Sequence, residues 1–191
     1  GLGWEVAQRL TADGVAFERP NTYGAGTGVT YDAEALKVLW ERLAEDAGVD
    51  LLLHTWVTGA RVEDGRLTAV RLWNKGGERW VEAAAFVDAS GDADVCAMAG
   101  VPHDAPGDGQ AVQSLSTLFK VANVDIAAAS AVPKTELWRL MGEAAASGSY
   151  RLPRIEGSWH RTPYEGVALV HMTRIPNVDA TDPWQLTAAE V

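Results

Sequence analysis

Residues 86–100, FVDASGDADVCAMAG, carry the pattern that decides how the surrounding chain folds. The segment 84–88 is an apolar run that predicts a buried strand, and 92–99 predicts a short helix. Between them lies a turn of small residues at 89–91, with carboxylates on both sides. Small residues at a strand-to-helix turn indicate that the backbone closely approaches another segment or a ligand.

The residues of this turn leave two interpretations open. Ordinary α/β turns carry Gly and Asp as bend and cap, so Asp92 can be a helix N-cap and Asp88 a solvated strand end. Alternatively, the N-terminal amides of the following helix can face a phosphate or a ribose. The order strand, turn and helix favours an α/β fold under both interpretations.

The chain before this segment predicts helices, a loop and a further strand. Asp32 can cap a helix over 33–47, with its apolar residues on one face. The run 50–55, DLLLHT, predicts a buried parallel strand because it is short, apolar and entered directly from a helix. Nearer the start, residues 2–12 predict a helix, and the glycine-containing stretch 14–30 predicts a long loop.

A three-stranded antiparallel meander is predicted between the two buried strands. Its strands are 56–63, 66–73 and 78–84, each with residues typical of β structure. Asp64-Gly65 joins the first pair and Asn74-Lys75-Gly76-Gly77 joins the second, and both sequences are strong hairpin turns.

The pattern changes after Gly100. Residues 101–110 are rich in turn formers and predict a crossover between two subdomains. The elements predicted beyond it are a strand within 112–124, a helix over 134–147 and strands at 156–160 and 167–174. We therefore expect an α/β protein with α+β character, divided into one domain of residues 1–110 and another of residues 111–191.

Composition and charge exclude several classes of function. The chain of 191 residues is 47% hydrophobic and carries a formal net charge of -10, which disfavours nucleic acid and anionic membranes as partners. The single cysteine, Cys96, excludes an internal disulfide and a cysteine-based zinc site, and a cytoplasmic location is the simplest expectation. Because the sequence starts without Met or a signal peptide and ends on LTAAEV, we expect a piece of a longer protein.

Other candidate sites are weaker. The glycines in 23–29, YGAGTGV, do not follow a strand and depart from G-x-G-x-x-G spacing, so a flexible loop is expected there. The four histidines lack the spacing of a metal site, and no metal is predicted. The nucleophile motif G-x-S-x-G is absent. Most of the eight tryptophans fall at regular helix or strand spacing, which predicts core packing.

The run 31–102 resembles the FAD-dependent oxidoreductases of the glutathione-reductase-like group, near the fumarate-reductase-type branch. It begins YDAEALKVLWERLAEDAGVDLLLHTWV and ends AAAFVDASGDADVCAMAGVP. That family has a strand of the pattern GVDLLLHTxV, then a β-meander, then a strand that ends in A-[TS]-G-D. The ending LTAAEV is similar to a later segment of the family, and residues 165–191 match it loosely.

The resemblance implies FAD as the cofactor and two sets of contacts with it. Trp56 and Val57 match the strand whose valine backbone pairs with the adenine. The turn Ala89-Ser90-Gly91-Asp92 matches the A-[TS]-G-D turn that lies against the adenosine and pyrophosphate side. It also implies a partial Rossmann-like FAD-binding domain followed by part of a mixed-sheet substrate domain.

Two departures from the family pattern concern the cofactor. The N-terminal strand-GxGxxG-helix and the late segment over the isoalloxazine are absent from the 191 residues. Pyrophosphate amides contribute much of the affinity for a dinucleotide, so we expect this chain alone to be inactive and unable to hold FAD tightly.

Two classes of function follow. The first is part of an FAD-dependent oxidoreductase, in which the flavin exchanges a hydride or electrons with a small-molecule substrate. The alternative is a non-catalytic α/β interaction module or carbohydrate-binding module. The catalytic residues, the substrate and the oligomeric state are not determined by the sequence. Polar residues that can face a substrate are Gln113, Ser114, Thr117, His171 and Arg174.

Overall fold

The protein is described by a computed structural model that covers residues 1–21, 25–104 and 113–191. The chain forms two compact units, a larger one of Gly1–Gly48 with Gln110–Val191 and a smaller one of Val49–Gly109. The domain division predicted at residue 110 falls outside the described residues and stays a prediction.

The larger unit begins with two helices and a β-hairpin. Helix α1 spans Leu2–Ala12, strands β1 and β2 span Ala16–Pro20 and Thr27–Tyr31, and helix α2 spans Ala33–Asp46. A small apolar core joins Val6 and Leu10 of α1 with Ala16 and Leu39. Both helices are confirmed at the predicted positions.

The hairpin replaces most of the loop predicted over 14–30. Strands β1 and β2 pair antiparallel, with Phe17 opposite Thr30 and Arg19 opposite Gly28. Gly28 leaves room for the guanidinium of Arg19, which would lie 3.2 Å from a β-carbon at that position. Gly28 therefore allows close packing within a strand. The sequence alone reads the same glycine as a turn former. Part of the predicted loop 23–29 lies outside the described residues.

The smaller unit contains the predicted meander. Strands β3, β4 and β5 span Trp56–Glu63, Arg66–Asn74 and Gly77–Glu82 and pair antiparallel in that order. The hairpin turns form at the predicted residues, with Asp64 and Gly65 both at positive φ. Helix α3, Asp94–Met98, follows and contacts β3.

The two buried strands predicted on either side of the meander are not formed. Residues 50–55 and 84–88 have no strand assignment. The side chains of Leu51, Leu52 and Leu53 are exposed, and Val87 is 92% exposed. A parallel strand is stable only where neighbouring strands complete its hydrogen bonds and cover both of its faces, and no described strand does so here.

The second part of the larger unit is built on a three-stranded sheet. Strand β6 (Phe119–Val121), helix α4 (Ile126–Ala131), helix α5 (Lys134–Ala146), strand β7 (Ser158–Arg161), strand β8 (Ala168–His171) and helix α6 (Pro183–Glu190) follow in order. The strand order is β6-β8-β7, and every pairing in the described part of the chain is antiparallel. The fold is thus the expected α/β mix, while the mixed sheet expected in the second domain is not seen there.

Gly157 fixes the position of α5 on this sheet. A β-carbon on Gly157 would lie 2.7 Å from Met172 and 2.8 Å from Met141. The indole Nε1 of Trp138 on α5 donates a hydrogen bond to the Gly157 carbonyl at 2.9 Å. The close approach of α5 therefore depends on the absence of a side chain at residue 157.

Most tryptophans do not lie in a core. Of the eight, six are exposed: Trp4, Trp40, Trp56, Trp73, Trp80 and Trp184. The core-packing prediction is wrong for these six, because helix or strand periodicity places a side chain on a face without deciding whether that face is covered.

Asp32 links the two chain segments of the larger unit. Its Oδ1 accepts a hydrogen bond from the amide of Ala35 at 2.9 Å and so caps α2 as predicted. Its Oδ2 lies 3.7 Å from Nζ of Lys120 on β6, and the residue is only 5% exposed. The Ala35 amide contributes most to lowering the pKa of this carboxyl, and the charge of Lys120 lowers it further. Asp32 is therefore ionised at neutral pH.

Replacing Asp32 tests this link. We expect Asp32→Ala to lower the free energy of unfolding by more than the typical loss of about 1 kcal/mol for an N-cap, because Lys120 also loses its partner. Asp125→Ala is the matched control, since Asp125 caps α4 through the Ala128 amide in the same way. Urea denaturation of both variants gives the comparison, and equal losses would contradict the role of the ion pair.

Candidate functional site

A compact hydrogen-bond network shapes the turn that follows Val87. Oδ1 of Asp88 accepts hydrogen bonds from the amide of Ser90 at 3.0 Å and from its hydroxyl at 2.6 Å. Oδ2 of Asp88 accepts one from the amide of Cys96 at 2.9 Å. The Ser90 Oγ also accepts a hydrogen bond from the amide of Asp94 at 2.8 Å. One carboxylate and one hydroxyl thus connect the turn to the first turn of α3.

These bonds correct three expectations from the sequence. Asp88 is a capping residue and not a solvated strand end. The N-cap position of α3 is Ala93, at φ 57°, so Asp92 is not the cap. The amides of Asp94 and Cys96 already donate within the chain, so they are not free to hold a phosphate. The carboxylate of Asp88 also lies at the positive end of the α3 helix dipole.

The network also sets two ionisation states. The hydroxyl of Ser90, followed by the amide of Cys96, holds the pKa of Asp88 far below its usual range. A hydrogen bond to Asp88 and partial burial raise the pKa of the Cys96 thiol. At neutral pH the Asp88 carboxyl is therefore a carboxylate and the thiol is protonated, which makes Cys96 a poor nucleophile.

The outer surface of the turn is open. Ala89, Ser90, Gly91 and Asp92 are all exposed. Gly91 has φ 88°, and no described atom lies within 4 Å of the position that a β-carbon would take. The presence of two of the small residues is thus explained by the turn itself, since Gly91 suits the backbone angle and Ser90 supplies the bridging hydroxyl. The exposed face leaves space for a ligand.

Trp56 and Val57, the other predicted cofactor contacts, begin strand β3. Trp56 is 70% exposed, whereas Val57 is half-buried and pairs with Leu72 of β4. A register shift follows between Val57 and Gly59. Among the described strands β3 is at the edge of its sheet, so part of its backbone points away from β4. All six predicted cofactor contacts thus lie in the smaller unit, where α3 contacts β3.

The predicted substrate-side residues all lie in the larger unit. Gln113 is exposed and Ser114 is half-buried. The amide of Thr117 donates a hydrogen bond to Oγ1 of Thr173 at 2.9 Å, and that hydroxyl donates back to the Thr117 carbonyl at 2.8 Å. The segment of Thr117 therefore runs beside the segment that carries Arg174.

His171 faces a second histidine that was not selected from the sequence. Ser158 of β7 pairs with His171 of β8, and His160 is two residues further along β7. Residues that pair across strands, or lie two apart on one strand, share a sheet face. Oγ of Ser158 lies 3.4 Å from Nε2 of His160, and Nη1 of Arg154 lies 3.4 Å from Nε2 of His171. Because a guanidinium only donates, Nε2 of His171 is the acceptor in this contact.

His160 is neutral at physiological pH. Burial lowers the pKa of its imidazole, and the positive charge of Arg19 lowers it further, with smaller contributions from His171 and Lys134. A neutral imidazole can accept a proton. In the sequence, His160 is marked only as part of the predicted strand 156–160. Its position opposite β8 depends on the strand register, which the sequence does not show.

Metal binding and membrane spanning find no support in the described residues. They contain no group of three His, Cys, Asp or Glu side chains placed to hold a metal ion. None of the helices in the described part of the chain has the length and apolar character needed to cross a bilayer.

Stability should depend on pH through His160. Its pKa is lower in the folded chain than the ordinary value of 6.5, so the unfolded chain binds the proton more readily and stability falls as pH drops through this value. We expect His160→Asn to lose less unfolding free energy than the wild type between about pH 7.5 and 5.5, measured by urea denaturation. His103→Asn, at an exposed histidine, is the control, and parallel curves for His160→Asn and wild type would contradict the assignment.

Comparison with known proteins supplies the family. A family described as FAD dependent oxidoreductase matches residues 1–191, the whole chain. No curated protein and no solved structure matches this chain significantly. The chain belongs to the FAD dependent oxidoreductase family, and its cofactor is FAD.

Proposed function

We propose that this chain forms part of a flavoenzyme that transfers a hydride or electrons between FAD and a small-molecule substrate. The observation that carries the proposal is the family match over the whole chain. When bound, FAD supplies the redox chemistry, while the protein supplies binding, orientation and electrostatics. The residues below would provide these in this chain.

The smaller unit would contact the adenosine side of FAD. Val57 would offer backbone groups at the edge of β3, beside the exposed indole of Trp56. The open turn at 89–92 would lie along the nucleotide, with Gly91 leaving room for it. Because Asp88 and Asp92 are acidic and the α3 amides are in use, this turn suits the hydroxyl groups of a sugar better than phosphates.

The larger unit would contribute the substrate side. His160, which is neutral and half-buried, would accept a proton that the substrate loses on oxidation. His171 shares its sheet face and would orient the substrate together with Arg174. Gln113, Ser114 and Thr117 stay weaker candidates, because the contacts of Thr117 are made by its backbone. This assignment agrees with the predicted division for residues 111–191, but it moves residues 1–48, which the predicted division places in the cofactor domain, into the unit of the substrate side.

Exposed apolar segments support the idea that more chain completes the cofactor domain. Residues 51–53 are three exposed leucines, and Val87 is nearly fully exposed. Contiguous exposed apolar side chains mark surfaces that another segment covers. We propose that further strands, including one followed by GxGxxG, pair with 50–55 and 84–88 and supply the pyrophosphate amides. The single Cys96 fits a reducing, cytoplasmic setting.

The cofactor content of the full-length protein tests the function. We expect purified full-length protein to show flavin absorbance bands and to release FAD on denaturation, identified by chromatography against FAD and FMN. The isolated chain of residues 1–191 should release much less FAD. Full-length protein that neither contains FAD nor binds added FAD would contradict the proposal.

A pair of glycine variants tests the site. We expect Gly91→Leu to weaken FAD binding to the full-length protein about tenfold or more, the effect of losing roughly 1.4 kcal/mol of contact. Gly65→Leu is the matched control, since Gly65 also has positive φ and no described atom near its β-carbon position. Both variants carry similar backbone strain. Equal FAD affinity in the two variants would place the cofactor elsewhere.

A non-catalytic binding module is the second candidate. Six exposed tryptophans favour it, because exposed aromatic side chains are common in protein and carbohydrate interfaces. It requires no flavin, so the cofactor measurement above separates it from the enzyme.

A further inference from the structure

A cleft of about 650 Å³ lies in the larger unit, on the side of α6. Three segments form it: the residues after α5, the residues after β8, and the last turns of α6. Its lining includes two arginines, Arg151 and Arg174, together with Asn177. None of these residues was used in shaping the fold described above.

The two guanidinium groups have no partners in the part of the chain that the structure describes. Neither Arg151 nor Arg174 has a hydrogen bond or an ion pair with any described residue. No Asp or Glu belongs to the described lining of the cleft. The whole sequence has 26 acidic residues against 16 Lys and Arg, so acidic partners are abundant elsewhere. Two arginines that meet in one cleft without a carboxylate form a positive site in a negative protein.

The rest of the lining is apolar. Leu152, Ile175 and Ala189 border the cleft beside the arginines. A guanidinium binds the oxygens of a carboxylate or phosphate with two parallel hydrogen bonds. Apolar side chains next to it favour a ligand with a hydrocarbon body. A bare inorganic ion would leave that surface in contact with water.

The same segments lead to the histidine face of the sheet. Arg154, which donates to His171, follows Arg151 by three residues, and Arg174 follows His171 by three. A ligand held in the cleft is therefore bound by the two segments that also place Arg154 and His171.

We propose that this cleft binds a small organic acid, with its carboxylate held between Arg151 and Arg174 and its hydrocarbon part against Leu152 and Ile175. This proposal names the chemical class of the substrate in the proposed function. Only the statement that the bound acid is the substrate rests on that function. Binding of the acid itself requires no flavin.

Calorimetric titration of the full-length protein tests the proposal. Benzoate, butyrate and inorganic phosphate are titrated at low ionic strength into wild type, Arg151→Gln and Arg174→Gln. We expect saturable binding of at least one carboxylate, weakened about tenfold or more in each variant by loss of a charged hydrogen bond. Arg42→Gln is the matched control, because Arg42 is an exposed arginine of the same unit that does not line the cleft. It should bind as wild type does.

Three results would overturn the inference: no saturable binding of either carboxylate, equal affinity in wild type and both cleft variants, or tighter binding of phosphate than of both carboxylates. The flavin absorbance of the same samples separates this test from that of the proposed function. Flavin without carboxylate binding contradicts only the cleft, and carboxylate binding without flavin contradicts only the flavoenzyme.

Discussion

The larger unit depends on the carboxylate of Asp32. The unit is assembled from two stretches of chain that are distant in sequence, and Asp32 caps α2 in the first while its second oxygen meets Lys120 of β6 in the second. Few apolar side chains are fully buried here, and the largest described core cluster holds only four buried residues. The buried carboxylate of Asp32 therefore contributes more to this unit than it would beside a large core, because a buried carboxylate without its partners would be an unpaired polar group. Arg161 over the ring of Phe17, at 5.1 Å, joins the same two stretches.

The small residues of the turn after Val87 have a structural explanation and also allow a functional one. Asp88 and Ser90 determine its shape through bonds to α3. These bonds use the amides that a phosphate would need, yet the outer side of the turn stays exposed. Asp88 acts only in building the turn, Ser90 both builds it and belongs to its exposed surface, and only that surface enters the cofactor proposal. The acidity of the turn then favours sugar hydroxyls over phosphates for electrostatic reasons.

Several cationic side chains of the larger unit lie near the histidines of one sheet. The charges of Arg19 and Lys134 act on His160, and Arg154 contacts His171. The two arginines of the cleft, which have no partner among the described residues, lie on the adjoining segments. Burial, with a further contribution from neighbouring cations, lowers the pKa of His160 and keeps its imidazole neutral, and cations that have no partner among the described residues can hold an anion nearby. Both effects support the proposed role of this unit in removing a proton from a negatively charged organic molecule.

The sequence by itself determined the local elements: the helices at 2–12, 33–47 and 134–147, the meander with its Asp64-Gly65 turn, and the N-cap at Asp32. These follow from periodicity, capping and turn chemistry, which act over a few residues. The family, and with it the cofactor, also followed from ordered segments of sequence. The features that depend on contacts between residues distant in sequence were decided only by the tertiary structure. Strand register brought His160 opposite β8, packing converted a glycine-rich loop into a hairpin, and the bonds of Asp88 to α3 closed the helix terminus to phosphate. Tertiary structure also left six of the eight tryptophans exposed and the apolar run 50–55 unpaired, because burial depends on neighbours distant in sequence and not on the residue that is buried.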